Sequence, residues 1–186
     1  ANLDRKYFSK LRSNMNYKPK KKIVCALALA LELDNVTCKK LVKKANETKP
    51  DIVIFTGDLI NKKYNLTNEE KESLKKEFSK INAELGKYYV TGEEDFEEGV
   101  SILNLSGFIN LENNAQVIYA SDNKPILLID NKTSKEYFEN NQNVPDFKIL
   151  AIHNPDDFDD VKDFNFDMAM AGHTHGGQIN IPKIKE

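Results

Sequence analysis

The sequence predicts an α/β protein built around a largely parallel sheet. Short apolar runs, typical of strands, alternate along the chain with segments that have helical spacing of apolar residues. Several of the runs are continuously apolar, as in strands covered on both faces: 51–56, 148–152 and 167–171. The length of 186 residues and the composition, 40% hydrophobic and 30% charged, are those of a single folded domain.

Local signals in the first half place five elements after a polar start. Residues 1–21 are polar and are expected to form an N-terminal arm or helix, ahead of one domain over 22–186. Thr67 followed three residues later by Glu70 is a capping box, and Gly86 is a helix terminator, so this pair of signals predicts a helix over 67–85. The first-half elements are strands at 23–31, 51–56 and 88–90, with helices at 36–48 and 67–85.

The second half continues the alternation of helices and strands. A helix over 96–106 ends at Gly107, and two β-like segments follow it. The remaining predicted elements are strands at 115–120, 125–130, 148–152 and 167–171, a short helix at 134–140 and an acidic helical turn at 156–163. No repeat or low-complexity linker interrupts the sequence, so this alternation supports one α/β domain.

Charge and composition exclude several classes of function. The net charge is −2, which argues against binding to nucleic-acid duplexes, because such proteins need a basic surface. Two cysteines are too few for a disulfide framework, and no apolar stretch approaches the ~20 residues that span a bilayer. We therefore expect a cytoplasmic or membrane-anchored protein, with any membrane attachment through a segment upstream of residue 1.

The three histidines and one aspartate follow predicted strands directly. Asp58 comes after strand 51–56, His153 after strand 148–152, and His173 and His175 after strand 167–171. The carboxyl ends of parallel strands meet at one edge of a sheet, where ligands bind. Any one of these residues could be an ordinary turn residue, but four together favour a metal site, since imidazole and carboxylate are metal ligands.

Other catalytic motifs are absent from the sequence. No glycine-rich phosphate loop and no Gly-x-Ser-x-Gly turn occurs, and neither cysteine is flanked by histidine. The metal interpretation therefore has no strong competitor among the common enzyme motifs.

The strand-end residues lie in three longer segments: Gly-Asp-Leu-Ile at 57–60, His-Asn-Pro-Asp at 153–156 and Gly-His-Thr-His-Gly-Gly-Gln at 172–178. These segments resemble motifs of the calcineurin-like metallophosphoesterases. The resemblance implies a four-layer α-β-β-α sandwich, here C-terminally short because the chain ends soon after the last motif. It also implies that Asp58 bridges two metal ions, that His153 and His173 bind one of them, and that His175 binds the other.

Two family motifs are altered in this chain. The family's first strand ends in Asp-x-His, where the best alignment here gives Ala30 and Glu32. The family's Gly-Asn-His motif appears as Gly-Glu-Glu at 92–94, so Glu93 replaces a metal-binding Asn and Glu94 replaces the catalytic His. A site of Asp58, Glu93, His153 and His173 still has four ligands, whereas the second site keeps only Asp58, His175 and Glu32.

The resemblance implies a metal-dependent phosphoesterase that hydrolyses a small phosphomonoester or phosphodiester with metal-activated water. The altered motifs predict a weakened or single-metal site, with Glu94 at the catalytic position and one or two ions bound. Mn²⁺ is the expected metal, with Fe²⁺, Zn²⁺ or Mg²⁺ as alternatives. The competing hypothesis is a catalytically dead phosphoesterase-like module that binds metal, nucleotide or a protein partner. The Ala- and Leu-rich run at 26–31 also leaves open whether the first motif was changed by design.

Overall fold

The computed structural model describes residues 26–27, 35–60, 65–95, 97–120 and 123–174, with side chains from Cys38 onward. Within these ranges the chain forms two four-stranded sheets with helices outside them. The predicted N-terminal arm over 1–21 lies outside the described residues, so the predicted domain boundary remains an expectation.

The first half of the chain forms sheet A, whose strands are all parallel. Its order is β1 (Ala26–Leu27), β2 (Val53–Phe55), β3 (Lys87–Tyr89) and β4 (Ile109–Asn110). Phe55 of β2 pairs with Tyr89 of β3, so the two strands end at the same level. The parallel arrangement follows from the helices that connect the strands, because a crossover helix returns the chain in the same direction.

The second half forms sheet B, in which one pair of strands is antiparallel. Its order is β5 (Gln116–Tyr119), β6 (Pro125–Ile129), β7 (Phe147–Ile152) and β8 (Met168–Ala171). β5 and β6 are antiparallel neighbours in a hairpin, whereas β6, β7 and β8 are parallel. The predicted, largely parallel α/β arrangement is thus confirmed.

Helices cover the outer faces of both sheets. They are α1 (Asn35–Glu47), α2 (Asn68–Phe78), α3 (Glu97–Leu105) and α4 (Asn131–Asn140), followed by 3₁₀ turns at Pro155–Asp160 and Lys162–Phe164. The capping box of α2 is present, since Thr67 accepts from the Glu70 amide and the Glu70 carboxylate accepts from the Thr67 amide.

Three buried cores separate four layers. One core lies between α1–α3 and sheet A and contains Phe55, Phe78 and Leu103. The second lies between the two sheets, where Ile54 and Val90 of the first half pack with Leu128 and Ile149 of the second. The third lies between sheet B and the α4 side, around Leu150 and Phe166. This α-β-β-α layering is the predicted sandwich.

Some predicted boundaries were wrong. The helix predicted over 67–85 ends at Phe78, because Asn46 of α1 bonds both the Lys80 carbonyl and the Asn82 amide and holds these residues in a turn. The helix predicted from 134 begins at Asn131, because the Asp130 side chain caps it through the Thr133 amide. β4 has only two residues and was not predicted.

Among the described helices, none combines the length and the apolar character that crossing a membrane requires.

Candidate metal centre

Asp58 reaches the edge of sheet A through a tight left-handed turn. Gly57 has φ +93° and Asp58 itself has φ +61°, so the chain reverses sharply right after β2. A non-glycine residue in this region of backbone space is uncommon and carries strain, which the surrounding structure must support. The turn directs the side chain of Asp58 towards His153, which follows strand β7 of sheet B. Asp58 is only 5% exposed.

His153 follows β7 and is fixed by a hydrogen bond to the opposite sheet. Its Nδ1 atom lies 2.7 Å from the carbonyl oxygen of Thr56, which follows β2. Because a carbonyl can only accept, Nδ1 carries the proton and donates it. The bond therefore sets both the orientation and the tautomer of the ring, so that Nε2 faces Asp58 and His173.

His173 follows β8 and completes the group. It has φ +59°, and the preceding Gly172 donates its amide to the His153 carbonyl at 2.9 Å. A Cβ at Gly172 would lie 2.8 Å from the Thr56 carbonyl oxygen, so only glycine fits where β8 passes the end of β2. This close passage brings the two sheet edges together at the site.

The ligand atoms of Asp58, His153 and His173 converge. His153 Nε2 lies 3.1 Å from Asp58 Oδ2 and 3.3 Å from His173 Nδ1, and the three ligand atoms lie within 4.8 Å of one another. A hydrogen atom on His153 Nε2 could be donated to Asp58 Oδ2 or to His173 Nδ1, but not fully to both. A metal cation between the three atoms would be attracted to all of them. Ligands at right angles around an ion at ~2.1 Å are about 3 Å apart, so the residues fit a divalent metal.

Asp95 holds the backbone around Asp58. One of its oxygens, Oδ2, accepts from the amides of Asp58 at 2.8 Å and Gly92 at 2.9 Å, and Oδ1 accepts from the Leu59 amide at 2.7 Å. Burial raises the pKa of Asp95, while these amides oppose the rise. Sequence reasoning missed this role, although an acidic residue just ahead of a predicted helix is a recognisable signal for amide binding.

Glu93 and Glu94 lie in the turn beside Asp58. The Glu94 amide donates to Asp58 Oδ1 at 2.9 Å, so the peptide of Glu94 orients the carboxylate of Asp58. Glu93 is exposed and lines a cavity of about 290 Å³ that His153 also lines. The converging group contains Asp58, His153 and His173 and does not include Glu93. Glu93 as a metal ligand and Glu94 as a catalytic residue stay predictions.

An ion-pair network that sequence reasoning missed forms another wall of the cavity. Lys132 Nζ lies 2.7 Å from Glu112 Oε1, and Thr91 donates to the same oxygen at 2.6 Å. Burial would raise the pKa of Glu112, but these two hydrogen bonds, the charge of Lys132 and a hydrogen bond with Asn110 together lower it. The hydrogen bond to Glu112 in turn raises the pKa of Lys132. No pattern of neighbouring residues in the sequence predicts this network, because its members come from three separate segments of the chain.

Glu32 and His175, the two remaining predicted metal ligands, lie outside the described residues. Ala30, the other altered position of the first motif, lies outside them as well.

A family model for calcineurin-like phosphoesterases matches residues 36–177, which is most of the chain and includes all three converging ligands. The chain belongs to the calcineurin-like phosphoesterase family. Calcineurin-like phosphoesterases are hydrolases that bind divalent metals, and the group of Asp58, His153 and His173 could hold such an ion. The match includes His175 and begins after Glu32.

Individual bacterial proteins align with most of this chain. The metallophosphoesterases YkuE and YkoQ of Bacillus subtilis are 30% and 29% identical to it, over 77% and 83% of this chain and 54% and 61% of their own lengths. The UDP-2,3-diacylglucosamine pyrophosphatase LpxG of Chlamydia muridarum is 25% identical, over 77% of this chain and 59% of its own length. The chain thus spans somewhat more than half the length of these relatives.

Proposed function

We propose that this chain hydrolyses a small phosphate ester, a phosphomonoester or phosphodiester, in a metal-dependent reaction at Asp58, His153 and His173. The observation that carries the proposal is the convergence of three ligand atoms from the ends of both sheets, with His153 Nε2 3.1 Å from Asp58 Oδ2. Family membership supports the same reaction class. In such sites a bound divalent ion lowers the pKa of a water molecule and withdraws charge from the phosphoryl oxygens.

The protein's contribution is to hold the ligands rigidly. Thr56 fixes the His153 ring, and the Glu94 amide leaves Oδ2 as the oxygen of Asp58 that faces the histidines. Because both ligands are oriented before an ion arrives, little reorganisation opposes binding. We propose Mn²⁺ as the ion, with Fe²⁺, Zn²⁺ or Mg²⁺ as alternatives, because the site combines imidazole with carboxylate.

In this proposal, Glu93 contributes to metal binding and Glu94 limits the rate of hydrolysis. Glu93, at the cavity wall, adds an oxygen ligand, and Glu94 stands where family members have a catalytic histidine. A glutamate next to a bound cation is ionised at neutral pH, so it is a poor general acid. Glu94→His should therefore raise kcat, by up to ~10²-fold, because it restores a proton donor. An unchanged kcat in that variant would remove Glu94 from the catalytic step.

The substrate is proposed to be a small molecule. LpxG, named as a UDP-2,3-diacylglucosamine pyrophosphatase, cleaves a phosphate-containing small molecule, which favours this choice over nucleic-acid duplexes. The net charge of −2 supports the same choice, because it offers no basic surface for a duplex.

The test is metal content followed by hydrolysis. Purified protein is loaded with Mn²⁺, desalted and analysed for metal, and then assayed with p-nitrophenyl phosphate and bis(p-nitrophenyl) phosphate. We expect about one retained ion per chain, and hydrolysis that disappears with chelator, in Asp58→Asn and in His173→Ala. Asp163→Asn, an exposed aspartate in a 3₁₀ turn, is the matched control and should retain both properties.

The outcomes separate the competing hypotheses. Retained metal without any turnover would favour a non-catalytic binding module and contradict the hydrolytic proposal. Two retained ions would mean that Glu32 and His175 form a second site. Full activity in Asp58→Asn would place the reaction elsewhere.

A further inference from the structure

The cavity beside the metal ligands has an uneven charge distribution. His153 and Asn154 line it on the side of sheet B, and Thr91 and Glu93 line it on the side of sheet A. Among the described residues that line it, four are acidic: Glu93, Glu112, Asp130 and Asp157. Lys132 is the single lysine or arginine in that described lining. A phosphate ester held at the metal ligands and extending into this cavity would therefore meet mostly like charge.

Lys132 is held in place from the opposite sheet. Its ammonium contacts Glu112, a residue whose side chain is only 17% exposed and which Thr91 also holds. The lysine side chain itself remains 60% exposed, so a ligand in the cavity can reach it. An ammonium has three N–H donors, and Glu112 is the hydrogen-bond partner that the described residues give it, which leaves two donors for a ligand.

Building on the proposed phosphoesterase function, we propose that Lys132 binds a non-bridging phosphate oxygen of the substrate and determines specificity for the phosphate's charge. The geometry behind this assignment is one cavity shared by a metal ligand, His153, and by a positioned ammonium, Lys132. Arginine, which binds phosphate through two parallel hydrogen bonds, occurs only at positions 5 and 12, outside the described residues. Lysine is therefore the cation that the described part of the cavity offers.

Inorganic phosphate is the probe, because its binding can be measured without turnover. Isothermal titration calorimetry of phosphate into Mn²⁺-loaded, desalted protein should give a Kd that rises about tenfold in Lys132→Met. Lys132→Arg should bind nearly as well as wild type, since it keeps the charge. Lys135→Met, an exposed lysine on the same helix, is the matched control and should not change the Kd.

Two further readouts distinguish substrate binding from a structural role. Metal content of Lys132→Met should equal that of Lys132→Arg, and its melting temperature should be only slightly lower, because the largely exposed ion pair with Glu112 contributes little to stability. Where hydrolysis is measurable, Lys132→Met should raise KM more for p-nitrophenyl phosphate, a dianion, than for bis(p-nitrophenyl) phosphate, a monoanion, because the lost contact is between charges.

Failure of this inference differs from failure of the proposed function. Phosphate binding that depends on Lys132 in a protein without turnover would support the inference and contradict the hydrolytic proposal. An unchanged Kd in Lys132→Met, or no phosphate binding by the loaded wild type, would overturn the inference, even in an active enzyme.

Discussion

Gly92 shows how closely the backbone is wrapped around Asp58. A Cβ at this position would overlap Asp58 Oδ1 and lie 2.6 Å from the Asp58 amide nitrogen. The neighbouring Gly57 faces the same crowding, because its Cβ would lie 2.6 Å from His153 Nδ1. The two glycines therefore let two loops approach each other closely enough to aim one carboxylate.

Gly92→Ala should displace Asp58 and weaken Mn²⁺ binding by tenfold or more, because backbone atoms cannot move aside as a flexible side chain would. The measurement is metal retained after loading and desalting, with urea denaturation to follow stability. Gly107→Ala is the control: its Cβ meets nothing closer than 3.6 Å, but φ is +83°. It should cost about 1 kcal/mol of unfolding free energy and leave metal binding intact. Equal metal binding in both variants would contradict the argument.

Glu112 makes a contribution to stability that depends on pH. Its pKa is lowered in the folded protein from the ordinary 4.5, so folding favours the carboxylate. The stabilisation is thus present above pH 4.5 and is lost as the pH falls through the lower folded value.

Glu112→Gln should therefore reduce the unfolding free energy at pH 7 by about 1 kcal/mol, a small value because Lys132 is largely exposed. Urea denaturation at pH 7 and at pH 3.5 checks this, and the difference from wild type should shrink at the lower pH. A difference that stays constant with pH would assign the effect to packing instead of charge.

At the level of elements, α2 begins with a complete reciprocal cap. Thr67 and Glu70 each accept a backbone amide of the other, and Glu70 also accepts from the Thr67 hydroxyl at 2.8 Å. The pKa of Glu70 is lowered by these bonds with Thr67. The start of α2 is therefore specified by four consecutive residues.

Thr67→Ala should lower the unfolding free energy by about 1 kcal/mol, because the Glu70 amide loses its acceptor. Chemical denaturation measures the effect. Thr67→Ser keeps the hydroxyl and should stay close to wild type, so a Ser variant as unstable as the Ala variant would show that the methyl group, and not the cap, matters.

The predictability of each element depends on how local its signals are. The start of α2 was predicted because its cap lies within four residues, but its end was not, because Asn46 and Asp51 hold the following segment from elsewhere in the chain. Asp58, His153 and His173 were placed at one edge because strand ends can be read from apolar runs. Asp95 and the pair of Glu112 and Lys132 were missed because their partners depend on the folded loops.

At the scale of the whole molecule, the core between the sheets holds the two halves of the chain together. Leu128 is fully buried there and packs among residues contributed by both sheets. A smaller side chain at this position would leave a cavity between the sheets and weaken the contact between the two halves.

Leu128→Ala should cost about 2–5 kcal/mol of unfolding free energy. Urea denaturation gives this value directly. Val117→Ala on β5, where the side chain is 40% exposed, is the control for truncating an apolar side chain of sheet B outside the core and should stay within about 0.5 kcal/mol of wild type. Comparable losses in both variants would contradict the assignment of the core.

The proposed metal ligands come from both sheets, since Asp58 follows β2 and the two histidines follow β7 and β8. An ion held by all three would act as a non-covalent cross-link between the halves, so occupancy and sheet separation are thermodynamically linked. Loading with Mn²⁺ should slow amide hydrogen exchange in β2 and β7 together, and Asp58→Asn should abolish that shared protection. Conversely, Leu128→Ala, which loosens the core between the sheets, should weaken metal binding although Leu128 does not belong to the site, because the ion is bound by residues of both sheets.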